Sequence, residues 1–322
     1  MKFFDLHVDT IWKLYQQTLD TGEHQSLLSN QLKVDQNKLI EGDYFAVCFA
    51  MFIDAYKGNS NAVCKKMIDI YKQELAKCDM LSPVNKFSDF EANSKNGKIS
   101  SVLTIEEGEV LEGNIDNLQE FYDLGVKMIC LTHNMNNCIG FNNYGRYIDG
   151  RPDWVTPNPK GLTEFGIQVV EKMNELGMVI DLSHISDGGF YQAIEISSKP
   201  VMCSHSNARA LCGSLRNLTD DMLKKLADNG GLTGINIANS FLGGANTIEL
   251  MVKQITYVKN LIGIDHIGIG TDFDGLNHEV EFANCSQMPK LLIALEKAGF
   301  TEQEIEKITY KNALRVFKAN IK

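Results

Sequence analysis

Positive charge is what this chain of 322 residues has little of. Its 31 Lys and Arg stand against 41 Asp and Glu, a net charge of −10. A chain so charged lacks the electrostatic footprint of a nucleic-acid binder, or of a protein drawn to anionic membranes. Long apolar runs are missing too: the longest, residues 44–53, has 10 residues, half of the ~20 that a membrane-spanning helix needs. The opening MKFFDLHVDT is broken by Asp5 and Asp9 and does not read as a signal peptide. Proline is scarce, at 6, and no low-complexity tract occurs, while 44% of residues are hydrophobic and 22% charged. That composition excludes disordered and fibrous classes. Paired cysteines are absent as well: the 8 Cys form no CxxC, and several sit inside apolar runs, as Cys48 does in FAVCFAMF. They read as free buried thiols of a reducing compartment. The expectation is a globular cytoplasmic protein with no nucleic-acid or membrane partner.

What is present is a rhythm. Short apolar runs rich in Val, Ile and Phe lie at 3–7, 45–53, 99–105, 126–132, 178–183, 201–204, 232–237 and 266–270. Runs of this length without strict alternation are what strands buried on both faces look like. Stretches of helical spacing fall between them, at 61–78, 114–124, 163–176, 187–196, 219–228 and 247–262. Asp187 and Thr219 stand in N-cap-like places, and Gly125 and Gly177 just before the next strand. Strands alternating with helices in this way predict a (β/α)₈ barrel of the TIM type, one domain over 1–322. A doubly wound sheet is the runner-up, but no GxGxxG or Walker A motif supports it. The polar, aromatic stretch 141–160 is too long for an ordinary loop and is expected to cover the barrel mouth. Residues 301–320 read as one or two closing helices.

The reactive residues fall in a pattern. Of the 7 His, His7, His133, His184 and His205 each end an apolar run, in FFDLH, MICLTH, MVIDLSH and VMCSH. Glu106 ends the third run, and Asp272 follows the eighth. In a barrel the C-terminal strand ends form the mouth, where the chemistry sits. His7, Asp9, Glu106, His133, His184, His205 and Asp272 should therefore converge from six strands. One such residue is ordinarily a cap or a core group, the reading given to His266 and His278, with His24 on a surface loop. Seven together are not explained by capping. His7 and Asp9, alternate residues of one strand, can chelate one ion. His184 and His205 can hold a second, with Glu106 placed to bridge. Imidazole and carboxylate without thiolate suit Zn²⁺, and Mn²⁺ or Co²⁺ also fit. Two dications sharing a water lower its pKa, so the pattern describes a binuclear hydrolase without naming the bond it cuts.

The motifs DLHVDT (5–10), IEEG (105–108), LTHN (131–134), IDLSHISD (180–187), SHSNAR (204–209), RNLTDD (216–221) and GTDFDG (270–275) run from end to end. In their order and spacing the chain resembles the renal or membrane dipeptidase family of zinc dipeptidases, within the wider amidohydrolase-like barrels. The resemblance implies that His7 and Asp9 bind one zinc, His184 and His205 the other, and that Glu106 bridges them. It implies that His133 meets the oxyanion of the tetrahedral intermediate and that Arg216 holds the substrate carboxylate. Asp272 would sit by the bridging water and the substrate amine. It also implies a dipeptide substrate, with a C-terminal D-residue accepted, and a homodimer. This sequence carries a second acid, Glu107, where the family usually has Gly, and TDFDG replaces a commoner S/G-DFDG. The leader and anchor segments of the mammalian members are not seen, so "membrane" is not transferred from the family name.

Two other functions stay open at this point. Another binuclear amidohydrolase or phosphoesterase, acting on a small non-peptide substrate, would use the same barrel. Many of those carry HxH on strand one and a carboxylated Lys ending strand four, whereas this chain has His-Val-Asp and His133, with Lys127 at the strand's start. A metal-dependent scaffold without turnover should have lost a ligand, and none is lost.

Overall fold

The computed structural model describes residues 1–143, 147–148, 151–152 and 156–322. Eight parallel strands form its centre: β1 (Phe3–Val8), β2 (Tyr44–Phe52), β3 (Ile99–Glu106), β4 (Met128–Cys130), β5 (Val179–Asp181), β6 (Met202–Cys203), β7 (Leu232–Ile235) and β8 (Ile267–Ile269). Each pairs with the next, and β8 pairs back to β1 through Asp5 and Ile269, so the sheet closes into a barrel with no free edge. A short strand, Leu81–Pro83, is added outside β3. The helix after each strand is in turn α1 (Thr10–Thr21), α2 (Ser60–Leu75), α3 (Ile115–Asp123), α4 (Glu164–Leu176), α5 (Asp187–Ile196), α6 (Asp220–Asp228), α7 (Thr247–Ile262) and α8 (Pro289–Lys297). The predicted barrel is the observed one.

Local chemistry explains the boundaries. Thr219 caps α6 by accepting the Met222 N–H, and Gly177 ends α4 at φ 82°, a left-handed step that glycine takes without strain. The cap of α5 is Ser186, whose hydroxyl accepts the Gly189 N–H; Asp187, expected as the cap, lies in the first turn instead. Strands β4 and β6 are shorter than their apolar runs, because residues beyond Cys130 and Cys203 leave the ladder to form the mouth. Of the stretch 141–160, residues 144–146, 149–150 and 153–155 lie outside the described residues, and with them the expected cover.

Two cores result. Strand faces and helices enclose one, including Phe49, Ile129, Ile180 and Ile235. Phe4, Leu6, Ala46, Cys48, Val102, Met128, Val179, Met202 and Leu232 fill the barrel interior as the other. The closing helix Asn312–Asn320 plugs its lower end, with Phe317 stacked on Phe4 at 5.2 Å between ring centroids. Burying such a ring stabilises by roughly 1.5–3 kcal/mol. The tail forms one run through Glu302–Glu306 and Lys307–Lys311, whose start Thr301 and Glu304 cap reciprocally. Among the described residues no helix is long and apolar enough to cross a membrane.

Glycine is demanded where three strands crowd. A Cβ on Gly234 or on Gly270 would lie 1.9 Å from the Ser204 carbonyl oxygen. Gly234→Ala is therefore expected to cost about 1–3 kcal/mol through overpacking, measured as a lowered urea midpoint; an unchanged midpoint would contradict this packing.

Candidate active site

The seven residues picked out by position do meet at the C-terminal end of the barrel. His7 Nε2 lies 3.3 Å from Glu106 Oε2 and 3.6 Å from Asp9 Oδ2. Glu106 Oε1 lies 3.0 Å from His184 Nε2 and 3.4 Å from His205 Nε2, and those two nitrogens are 3.0 Å apart. Two overlapping clusters follow, His7–Asp9–Glu106 and Glu106–His184–His205, with Glu106 common to both. His133 packs its ring on His184 at 4.5 Å and on the edge of Phe52 at 4.7 Å. Asp272, at φ 64°, takes a hydrogen bond from Asn236 Nδ2 at 3.0 Å and gives its N–H to the His7 carbonyl at 3.0 Å.

How β1 presents His7 differs from the simple alternation expected. Leu6 belongs to the interior core, so a regular strand would turn His7 outward. The pairing of β1 with β2 slips register between Asp5 and Val8, and the slip removes that alternation. Asp9 stands beyond the strand, in the N-cap position of α1. The two still reach one cluster, through a kink rather than through pleat.

The hydrogen-bond network decides whether a cation belongs here. Asn134 Oδ1, an acceptor, lies 3.1 Å from His184 Nδ1, so that nitrogen carries the hydrogen. Ser204 donates to Asp181 Oδ2 and so accepts from His205 Nδ1, at 2.7 Å. Both Nε2 atoms consequently present lone pairs, to each other and to a carboxylate oxygen. In addition, Asp9 Oδ1 is buried without a hydrogen-bond partner among the described residues, and the Asp9 and Glu106 carboxylates both press on His7. Acceptors held this close in a protein interior repel unless a cation lies among them, and the set of imidazoles and carboxylates suits a divalent ion. Asp181 also lies close to His7 and His205. Asp181 is already committed to the N–H and O–H groups of Ser183 and Ser204, so it braces a ligand rather than offering one.

Protonation follows the same lines. Burial, then the charge on Arg216, holds His184 well below its ordinary value; burial, then His7, does so for His205. His133 is lowered by burial, against the pull of Glu106. Burial opposes a charge on His7, but Glu106 and Asp9 hold it well above its ordinary value. Burial raises Asp9 and Asp272, each further raised by Glu106.

Arg216 is buried and lies behind the cavity wall. It donates to Ser206 Oγ at 2.6 Å and to the His205 carbonyl at 3.0 Å, while its Nε lacks a partner among the described residues. Its guanidinium carbon is 5.6 Å from the centroid of Phe241, a wall residue. Arg209 explains why this segment sits so: it grips Asp187 bidentately, 2.7 Å on each arm, and takes the Leu215 carbonyl. Glu107 turns away from the cluster, is fully buried, and holds φ 114°, a strained conformation for a residue with a Cβ, at about 1–3 kcal/mol. Burial pushes its carboxyl up to about 7, against hydrogen bonds from Asn137, Glu109 and His133.

A cavity of about 320 Å³ opens on this cluster, lined by Asp9, Glu106, His133, His184 and Asp272 and walled by Trp12, Phe52, Phe241 and Leu276. His278 also lines it, its Nε2 accepting the Asn239 N–H at 3.1 Å, so the capping role expected for it is joined to a place at the mouth. His24 is wedged between Thr18 and Glu74, and His266 bonds the Gly231 carbonyl, both away from the site. Sequence reasoning missed Asn134, Ser204, Asp181 and Asn236, although the first three stand inside the motifs LTHN, SHSNAR and IDLSHISD.

Residues 1–322 match the membrane dipeptidase family, peptidase family M19. The chain belongs to that family. Dipeptidase tcpJ of Claviceps purpurea is 31% identical over 333 residues, 98% of this chain and 73% of the relative. An uncharacterized protein in the pqqA 5′ region of Klebsiella pneumoniae is 33% identical over 237 residues, 72% of this chain and 86% of the relative. Among solved structures, a metallopeptidase from Rhodobacter sphaeroides, liganded with a phosphinate mimic of the dipeptide L-Ala-D-Ala, superposes with a TM-score of 0.87. It is 22% identical and the match covers 99% of both chains. The probable dipeptidase PvdM from Pseudomonas aeruginosa, 19% identical, gives 0.85 over 99% of this chain and 95% of that one. Membership makes the chain a hydrolase of the dipeptidase class, and a metallopeptidase's divalent ion has candidate ligands in the two clusters above.

One glycine tests the geometry. A Cβ on Gly275 would lie 2.3 Å from Asp9 Oδ2 and 2.5 Å from Asp272 Oδ1. Gly275→Ala is expected to displace both carboxylates and lower dipeptide hydrolysis by about 10²-fold, the scale of a 1 Å misplacement, with little change in melting temperature. Full activity in this variant would show that the two acids are not held as described.

Proposed function

We propose that this dipeptidase-family chain holds two divalent ions, Zn²⁺ by the chemistry of the donors, and hydrolyses dipeptides within its mouth cavity. The observation that carries the reading is the set of mutually facing acceptors: the imidazole lone pairs of His184 and His205 against the Glu106 carboxylate, with a second buried carboxylate, Asp9, beside them. His7 and Asp9 would hold one ion, His184 and His205 the other, and Glu106 both. When bound, such ions would act as Lewis acids, polarising the scissile carbonyl and lowering the pKa of water.

The remaining residues divide the substrate. Arg216 has an unpaired Nε and no carboxylate partner among the described residues; a buried guanidinium in that condition favours an anionic guest, and a peptide's terminal carboxylate matches its planar fork. Asp272 would take the substrate ammonium or receive the proton of the attacking water at its carboxylate. His133, held neutral by burial, would donate a ring N–H toward the carbonyl oxygen as charge develops there. Phe52 and Trp12 limit water on that side. A cavity of about 320 Å³ with Asp272 in its lining and the Arg216 guanidinium behind its Phe241 wall suits a dipeptide. The L-Ala-D-Ala mimic in the Rhodobacter sphaeroides structure supports acceptance of a C-terminal D-residue. Lys127 argues against the reading as a carboxylated-lysine amidohydrolase: it sits before β4, at the far end from the cluster, with its ammonium 4.3 Å from the Tyr122 ring centroid.

Elemental analysis of active protein is expected to find close to two divalent ions per chain, with activity lost on chelation and restored by Zn²⁺, Mn²⁺ or Co²⁺. His133→Ala should lower kcat by about 10²–10³-fold, as for removal of an oxyanion donor, with metal content unchanged. Loss of the metals along with the histidine would make it a ligand instead.

Substrate length is tested by blocking each terminus. N-acetylated or C-amidated dipeptides should lose several kcal/mol of transition-state stabilisation, on the scale of a buried charge losing its partner, and Arg216→Ala should raise KM chiefly for free-carboxylate substrates. Tripeptides cleaved as fast as dipeptides would return the chain to the general amidohydrolases.

A further inference from the structure

We propose that Glu107 is a positioning residue that holds His133 in place, an inference that rests on the reading of His133 as the oxyanion donor. Glu107 follows Glu106 directly, and the two side chains diverge. Glu106 enters the ligand cluster. Glu107 turns under the loop that follows β4, where Oε2 accepts the His133 N–H at 3.1 Å. Its Oε1 accepts the Glu109 N–H at 2.9 Å and also the Asn137 side-chain amide. Asn137 carries the grip further, donating to the Leu131 carbonyl at 2.8 Å and accepting the N–H groups of Ile139 and Gly140 at 2.8 and 3.0 Å. From the other side Asn142 donates to the His133 carbonyl at 3.2 Å. The peptide unit of His133 is thus clamped at both ends, and one peptide bond links the clamp to Glu106.

The side-chain type is dictated by the donors. Three N–H groups converge on two oxygens, which a carboxylate satisfies and an amide does not. Gln at 107 would set its own NH₂ against either the His133 N–H or the pair on the other oxygen. The backbone points the same way: a residue with a Cβ at φ 114° is retained where surrounding bonds compel it, and such positions gather at functional sites. What the clamp secures is the backbone from which the His133 ring extends toward the ligand cluster, where it packs against His184 and Phe52, and an oxyanion donor depends on that placement.

The test separates positioning from mere support of the loop. Glu107→Gly relieves the backbone strain but leaves three N–H donors without their acceptor, so it should melt somewhat below the parent yet stay folded, keep its metal content and KM, and lose about 10–100-fold in kcat. Glu107→Gln should lose kcat to a similar degree. In a His133→Ala background either change should alter kcat less than 2-fold, about the scale of independent background effects, because the group it positions is gone. Parent-like kcat in both Glu107 variants, or losses that multiply with His133→Ala, would overturn the proposal and leave the His133 reading intact. Loss of metal from Glu107→Gly would overturn it as well, since the residue would then serve the ligands. If His133→Ala itself keeps full kcat, the reading of His133 fails and takes the positioning role with it.

Discussion

Two imidazole nitrogens 3.0 Å apart, each with its ring hydrogen committed on the far side, do not stay together in a protein interior of their own accord. Their lone pairs repel, and a carboxylate oxygen beside them makes matters worse. The rest of the mouth can be understood as the means of holding this arrangement. Asn134 fixes one ring, while Ser204 and Asp181 fix the other. The closed barrel sets the spacing between strands, and its helices and plug pay for the charge brought inside. A cation relieves the repulsion, so affinity for the ion is the counterpart of the strain that its ligands hold without it.

The same constraint orders the chain into two ends. At the lower end Phe4, Phe90 and Phe317 pack ring against ring, 5.2 to 5.7 Å apart, and nothing there titrates among those contacts. At the upper end Asp9, Glu106 and Asp272 crowd together, and Asp272 and Glu107 adopt positive φ. Apolar burial offsets a strained site only when the two are separated, since a cavity or a charge in the plug would weaken the frame that the mouth relies on. A barrel supplies that separation along its axis.

Much of this was legible in the sequence because barrel position and strand order are linked. A residue that ends a buried apolar run must lie at the mouth, and Glu106, His133, His184 and His205 all obey that rule. His7 was found for a reason that is only half right: the register slip at Asp5–Val8, not alternation, brings it to the cluster, and no pattern of residue types announces a bulge. Asn134, Ser204 and Asn236 escaped notice because an amide or hydroxyl beside a strand end is common, and its partner is a matter of geometry. His278 escaped because it belongs to no strand; it reaches the cavity through the long segment after β8. Arg216 was singled out by motif, yet its burial beside Phe241 depends on how its segment is anchored, in part by Arg209 and Asp187, two residues whose pairing spans 22 positions.

Consecutive acids at 106 and 107 show how a short motif can carry two geometries at once. A strand places neighbours on opposite faces, so Glu106 and Glu107 cannot both address the ligand cluster. The last step of β3 gives the first acid to the cluster, and the turn that follows, at φ 114°, gives the second to the loop of β4. A glycine at 107 would permit the turn without strain but would bring no acceptor to the His133 N–H. An alanine would keep the strain and still bring none. Only an acidic side chain long enough to reach across to the next strand's loop both opposes the strain with hydrogen bonds and ties two adjacent βα loops together. The His133 backbone is then tied to the ligand cluster by one peptide bond and one hydrogen bond, a short path that crosses from β3 to the loop of β4.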